Sequence, residues 1–402
     1  MSQETTHIPK LRFPEFEGEW IISTIGEDCK FSSGGTPSKE NSSFWNGDIP
    51  WISAVSMHKD KIDDSELKVT ELGSKNGARI APKGSILILV RGSMLYNRIP
   101  AGICQKDVTF NQDVKCLQVS NRSSSDFFLH SLRSSENRLL SIVTGTGIGA
   151  GKIDSAELKA FPFLIPSISE QQKIASFLTE VDKKIDLLQR KKDQLTAYKK
   201  GMMQKLFSQE IRFKDEDGKD FPEWEEKILA DVMQESLVKG AKGDKAQKLT
   251  VKLWGKGVYF KGSRGSANTQ YYKRKSGQFI YSKLDFLNQA FGVISKELDG
   301  MESTVDLPCF DIIDGSDTKF LLERIQQKNF YKKYGDMADG SRKAKRVHAH
   351  TFLRFSLFLP HPDEQQKIAD YLTALDQKIE LVDKKLTQAQ SFKKGLLQQM
   401  FI

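Results

Sequence analysis

Four cysteines, Cys29, Cys104, Cys116 and Cys309, are spread over 402 residues with no C-x-x-C pair. The six histidines do not stand beside them at ligand spacing, so a disulfide framework and a zinc site are both disfavoured. Long apolar runs are missing too. The longest, Ile86-Leu87-Ile88-Leu89-Val90, has five residues, far below the roughly 18 that cross a bilayer, and it reads as a buried strand. Residues 1–10 are polar and hold no apolar signal core, so a cytoplasmic location with no membrane partner is the expectation. Acids are in deficit, 52 against 61 Lys and Arg, which leaves a net charge of +9. Such a total suits an anionic partner, but many basic surfaces are merely solvated, so the distribution of charge has to decide. What is present is an ordinary globular composition, 38% hydrophobic and 28% charged, which disfavours disorder. The length predicts several domains of roughly 100–200 residues each.

The chain repeats itself. Residues Pro166 to Phe207 align without a gap on Pro360 to Phe401, at an offset of 194, with 20 identities in 42 positions. The centre of the match is Glu170-Gln171-Gln172-Lys173-Ile174-Ala175 against Glu364-Gln365-Gln366-Lys367-Ile368-Ala369, and its far end is Lys-Lys-Gly at 199–201 and 393–395. Both copies read as long helices. Ser169 with Gln172, and Asp363 with Gln366, have capping-box spacing with a proline upstream. A heptad register places Ile174, Leu178, Val181, Ile185, Leu188 and Leu195 on one seam of the first helix. The second helix presents Ile368, Leu372, Leu375, Ile379, Val382 and Leu386 in the same register. A seam this narrow favours pairing of the two helices over separate packing on their own domains, where a wider apolar stripe is usual. Forty residues of helix would be roughly 60 Å long. Periodicity leaves the direction of the pair open.

The organisation is therefore α+β: globular residues 1–165, helix 166–207, globular residues 208–359, helix 360–402. The two globular stretches open alike, with Phe13-Pro14-Glu15 and Glu19-Trp20 against Phe221-Pro222-Glu223-Trp224, and then diverge. Charge gathers in the divergent parts. Lys239 to Lys283 hold twelve Lys and Arg and one acid, Asp244, interleaved with Trp254, Tyr259, Phe260, Tyr271 and Tyr272. Within this stretch Lys261, Arg264, Lys273, Arg274 and Lys275 are candidates for DNA contact. A second cluster, Arg342, Lys343, Lys345 and Arg346, has no acid from 340 to 362. The first domain carries a weaker version, with Arg79, Arg91 and Arg98 and no acid between Leu72 and Lys106. Cations neutralise phosphates, while Arg, Asn and Gln read base edges, and a merely solvated face usually mixes both signs.

Catalytic patterns fail. The glycine-rich stretch Thr144 to Lys152 lacks glycine at 146 and a hydroxyl residue at 153, so it is no phosphate loop, and no G-x-G-x-x-G fits it either. There is no G-x-S-x-G elbow, no H-E-x-x-H and no deaminase zinc signature. Asp311, Asp314 and Asp317 lack the later glutamate of a calcium loop and read as a polar loop. The chain is expected to do no chemistry and to hold no metal.

Taken together, the two P-x-x-x-E-Q-Q-K-I-A helices, with Gly34-Gly35-Thr36-Pro37-Ser38, Ile49-Pro50-Trp51 and Asn111-Gln112, resemble the specificity (S) subunits of type I restriction–modification enzymes over essentially the whole chain. The resemblance implies two target recognition domains, each reading half of a split double-stranded DNA sequence, held apart by an antiparallel, pseudo-two-fold helix pair. It adds Asn111 and Gln112 to the DNA candidates. It also implies two modification subunits that bind S-adenosylmethionine and methylate adenine, and restriction subunits that use ATP and magnesium, with no cofactor on this chain. The second domain lacks the Gly-Gly-Thr-Pro and Ile-Pro-Trp words, so its candidates rest on charge alone.

Overall fold

The structure, a computed structural model, describes residues 7–401 except 148, 264, 314 and 337–345. It divides into two compact units, 1–190 with 383–402, and 191–382.

The first domain runs, in chain order, β1 (Ile21–Thr24), α1 (Ile25–Asp28), β2 (Cys29–Ser33), β3 (Trp45–Ile52), β4 (Lys61–Ile62), β5 (Lys68–Val69), α2 (Glu71–Lys75), β6 (Arg79–Ala81), β7 (Ile86–Leu89), β8 (Arg91–Gly92), β9 (Ala101–Cys104), β10 (Val108–Phe110), β11 (Val114–Val119), α3 (Ser125–Ser134), α4 (Glu136–Ser141), β12 (Thr144–Gly145), β13 (Gly151–Lys152), α5 (Ser155–Ala160) and β14 (Pro162–Ile165). One sheet has the order β2-β11-β7-β9-β4 and another β5-β3-β10-β6, while β1 pairs with β14. The apolar run that reads as a strand is β7, all four residues fully buried, so it is the centre of the first core. The glycine-rich stretch is a hairpin: Thr144 pairs with Lys152 and Gly145 with Gly151.

After α6 (Ile168–Phe207) the second domain runs β15 (Glu225–Ile228), β16 (Met233–Ser236), β17 (Lys239–Lys242), β18 (Lys248–Val251), β19 (Val258–Lys261), β20 (Gln270–Lys273), β21 (Phe279–Tyr281), β22 (Phe291–Val293), β23 (Glu302–Ser303), β24 (Cys309–Ile312), α7 (Thr318–Ile325), α8 (Lys328–Gly335), α9 (Ala349–Phe352) and β25 (Ser356–Leu359), then α10 (Pro362–Met400). Its sheets are β16-β24-β21-β22 and β17-β20-β23-β18-β19, with β15 paired to β25. A frame of two four-stranded sheets recurs in both domains: β2-β11-β7-β9 and β5-β3-β10-β6 correspond to β16-β24-β21-β22 and β19-β18-β23-β20, while β4 and β17 are additions. In each, one strand of the second sheet pairs parallel with one neighbour and antiparallel with the other: β3 with β10 and β5, β18 with β23 and β19. The aromatic-rich second core fills the corresponding strands with different side chains, Phe279, Tyr281, Phe291 and Phe310, and packs Phe352 of α9 against them. Cores tolerate such exchange when volume and patterning are kept.

Both helix starts differ from the expected caps. Helix α6 begins at Ile168, so Ser169 is already helical, and the cap is Ser167, whose hydroxyl accepts from Glu170 N at 3.3 Å. Helix α10 begins at Pro362, with His361 Nδ1 accepting from Asp363 N at 3.3 Å. Proline at the first helical position loses no hydrogen bond, because that N–H would be unpaired in any case. The capping-box glutamate of the first copy is diverted elsewhere. Glu170 is 1% exposed and its carboxylate receives Arg12 Nε and Nη2, both at 2.8 Å, and Trp20 Nε1 at 3.3 Å. In the other copy Glu364, fully buried, receives Arg212 Nε at 3.2 Å and Nη2 at 2.8 Å. The next residue does a second task in both. Gln171 accepts from Ser124 N, the cap of α3, and donates to Pro166 O; Gln365 accepts from Asp317 N, the cap of α7, and donates to Pro360 O. A carboxylate and an amide thus fasten each helix start to its own domain.

The helices pair antiparallel. In the first unit Lys393 meets Asp182 at 2.6 Å, and in the second Lys199 meets Asp376 at 2.7 Å, so advancing 17 residues along α6 moves the partner back 17 along α10. Ile174, Leu178, Ile368, Leu372, Leu375, Val382 and Leu386 are buried; Val181, Ile185, Leu188, Leu195 and Ile379 are half-buried. Off that seam, Leu187 and Leu381 are more than half exposed. Aromatic triads close the ends: Trp20, Phe127 and Phe401 in one unit, Trp224, Phe320 and Phe207 in the other.

Candidate nucleic-acid interface

In the first domain the short motifs converge on one rim, because the strand order brings the end of β2, the strand β3 and the β10–β11 turn together. Gly35 N donates to Phe110 O at 2.9 Å, and Trp51 Nε1 to Gly35 O at 3.0 Å. A side chain at Gly34 would collide with the carbonyls of Phe110 and Asn111, so glycine is required for this approach. Thr36 Oγ1 donates to Gln112 Oε1 at 2.8 Å, leaving the Gln112 amide nitrogen at the surface. Trp45 packs edge-on against Trp51 at 5.4 Å and donates to Ser38 O. Arg79 lies opposite Phe110 in the β6–β10 pairing and is exposed.

A cationic group stands beside this rim. Lys115, opposite Ser33 on the β2–β11 ladder, donates to Ser33 Oγ at 2.6 Å. Burial lowers its proton affinity first, and Lys159 and Arg91 lower it further. Cations close enough to depress one another form a place where an anion is stabilised. Arg91 is exposed opposite Lys152. Two candidates turn inward instead. Arg98 is half-buried, with Nη2 3.4 Å from Met57 O. Asn111 is 7% exposed and its amide is spent on Asp113, accepting from the backbone N–H and donating to the carboxylate.

The second domain divides its candidates similarly. Lys261, Lys273, Lys275 and Arg346 are exposed. Arg274 is 1% exposed, which corrects the reading of three adjacent surface cations. Neighbours in an extended chain face opposite ways, so Lys273 and Lys275 point out while Arg274 enters the core. There it donates to Ser303 Oγ at 2.8 Å and to Ser236 O at 2.6 Å, and burial lowers its pKa. It ties β20 to β16 and β23. Arg264, Arg342, Lys343, Lys345 and Asp314 lie outside the described residues.

The four cysteines are free and buried, and burial pushes the Cys29, Cys104 and Cys309 thiols up to about 12, so they are protonated at neutral pH. Among the described residues no group of three His, Cys, Asp or Glu is placed to hold a metal, and no helix is long and apolar enough to cross a membrane.

The family model described as "Type I restriction modification DNA specificity domain" matches residues 17–197 and 222–391, once for each half. The chain belongs to this family. Specificity subunits supply recognition rather than catalysis to a type I restriction enzyme. The chain is 36% identical over 174 residues to the Escherichia coli type I restriction enzyme EcoR124I/EcoR124II specificity subunit, a stretch covering 43% of each chain. It is 26% identical over 412 residues to the MjaVIII specificity subunit of Methanocaldococcus jannaschii, covering 96% of this chain and 92% of that one. The chain spans about half the length of the first two curated relatives it matches. Among solved structures, the type I system S subunit from M. genitalium superposes with a TM-score of 0.62 at 16% identity, covering 98% and 99% of the two chains, a likeness of fold.

Sequence reasoning missed Arg12, Arg212 and the roles of Glu170, Gln171, Glu364 and Gln365. The signal was there: Glu and Gln recur at the same places in both copies, on the same helix face as Ile174, Ala175 and Leu178 in one and Ile368, Ala369 and Leu372 in the other, all of them buried.

Proposed function

We propose that each recognition domain reads one half of a bipartite double-stranded DNA target, and that the helix pair sets the unread spacer and docks two modification subunits. Restriction subunits join that assembly. Adenine methylation with S-adenosylmethionine, and cleavage driven by ATP and magnesium, belong to the partner subunits; this chain contributes the choice of site. One observation carries the reading: two domains of equal topology, with unrelated surfaces, stand on one repeated helix scaffold. Equal topology suits equal docking on the duplex, and unequal surfaces suit two different half-sites.

The chemistry follows the same division. Exposed cations, Arg79 and Arg91 in one domain and Lys261, Lys273 and Lys275 in the other, with the half-buried Lys115, contact phosphates and fix register, while a few side chains such as Gln112 reach base edges. In the first unit, Phe177, Val181, Ala389 and Phe392 line an open apolar groove on the helix pair. Its apolar lining supports docking of a modification subunit there.

Exchange of residues 208–359 for the corresponding domain of another specificity subunit tests modular reading. Methylation in cells should then change at one half-site only. A change at both would contradict it.

A further inference from the structure

In the second domain, β18 and β19 are joined by residues 252–257, and Trp254 lies three residues past Val251. Trp254 holds a left-handed backbone, with φ +61°. An aromatic L-residue adopts that conformation only when its surroundings impose it. Here Trp254 N donates to Asn288 O at 2.8 Å and Gly255 N to Gln289 O at 3.0 Å. Gln289 is itself left-handed, with φ +53°. The turn is nailed down on both sides, yet the side chain it fixes is left 59% exposed. Backbone strain spent on presenting a large apolar ring to solvent points to a task for the ring.

The surroundings are cationic and aromatic. Lys252 lies 3.8 Å from the centre of the Tyr259 ring. Lys256 is on the same turn, Phe260 is 54% exposed, and the sequence has no acid from Lys245 to Leu284. Asp285, in the turn that holds Trp254, is half-buried and accepts from Asn288 Nδ2 at 3.3 Å; the exposed cations beside exposed apolar rings suit a polyanion with flat bases.

The first domain repeats the arrangement. Strand β3 is the counterpart of β18, and three residues past its last residue, Ile52, stands Val55, 79% exposed. His58 and Lys59 follow it. Two unrelated sequences thus place an exposed apolar side chain at the same point of the same topology.

We infer that Trp254 is a wedge, stacking on or between bases of the half-site held by the second domain, with Lys252 and Lys256 on the flanking phosphates. The inference rests on the DNA-reading function proposed above. Apolar wedges unstack a base step and let the duplex bend onto more protein surface.

The test uses the full chain assembled with its modification subunits, binding duplexes that carry the methylated motif and 2-aminopurine at successive positions of one half-site. Trp254→Ala should weaken binding about ten- to a hundredfold, the worth of one stacked base. It should leave the slope of log affinity against log salt unchanged and abolish the aminopurine signal at one step. Trp254→Phe should keep most of both. Lys256→Gln should instead lower the salt slope by about one. Wild-type affinity and aminopurine signal in Trp254→Ala would overturn the wedge while leaving DNA reading intact. Failure of Trp254→Ala to assemble would assign the patch to a protein partner and also overturn it. If the wild-type assembly has no salt-dependent affinity for DNA, the functional reading itself fails.

Discussion

Lys393 Nζ lies 2.6 Å from Asp182, and the residues 194 positions away from each, Lys199 and Asp376, meet at 2.7 Å. The two ion pairs are one interaction written twice. Their neighbours differ. Six residues past the cap of α7, Glu323 meets Lys199 at 3.1 Å. Six past the cap of α3 stands His130, whose buried Nδ1 has no hydrogen-bond partner.

His130 therefore makes the first unit acid-sensitive. Its pKa is lowered to about 4, by burial first and then by the charges of Lys393 and Arg133, against which Asp60 and Asp126 act. A depressed histidine contributes stability that is present above its unfolded value near 6.5 and is lost as pH falls towards 4, because the unfolded chain takes up the proton first. A difference of this size corresponds to about 3 kcal/mol. Chemical unfolding of wild type should therefore weaken across pH 6.5 to 4, and His130→Gln should flatten that fall. An equal fall in the variant would place the sensitivity elsewhere.

Arg12→Met leaves the Glu170 carboxylate buried without its cation. Removing one partner of a buried pair costs about 3–5 kcal/mol. The double variant Arg12→Met with Glu170→Gln should recover part of it. The same should hold for Arg212 and Glu364. Thermal unfolding of the four proteins checks this, and a single variant as stable as wild type would contradict the clamp.

Arg274 and its neighbours should separate fold from binding. Arg274→Gln strips hydrogen bonds from Ser236 O and Ser303 Oγ in a closed core, at a cost of about 2–4 kcal/mol. DNA affinity of the protein that remains folded should keep its salt slope. Lys273→Gln with Lys275→Gln should leave stability unchanged and lower the slope. Measurement of affinity against salt, beside unfolding, distinguishes the two.

These cases also mark what the sequence discloses. Period-3.5 patterning and the 194-residue offset make both helices legible, because helix seams are local and repeat. The kinship of the two domains is hidden, since topology depends on strand pairing between distant residues, and Phe279 and Ile86 fill equivalent strands without resembling each other. Burial of Arg274 is legible only once its strand is known. The direction of the pair needs a contact between residues about two hundred apart, such as Lys393 with Asp182.

The central claim is that this chain chooses the DNA site for a partner methyltransferase. Single-molecule sequencing of adenine methylation in cells holding the cognate modification subunit, with and without this gene, tests it most directly. A split adenine motif with a fixed unread spacer should be methylated only when the gene is present. Methylation of the same motif without it, or no gene-dependent motif at all, would contradict the account.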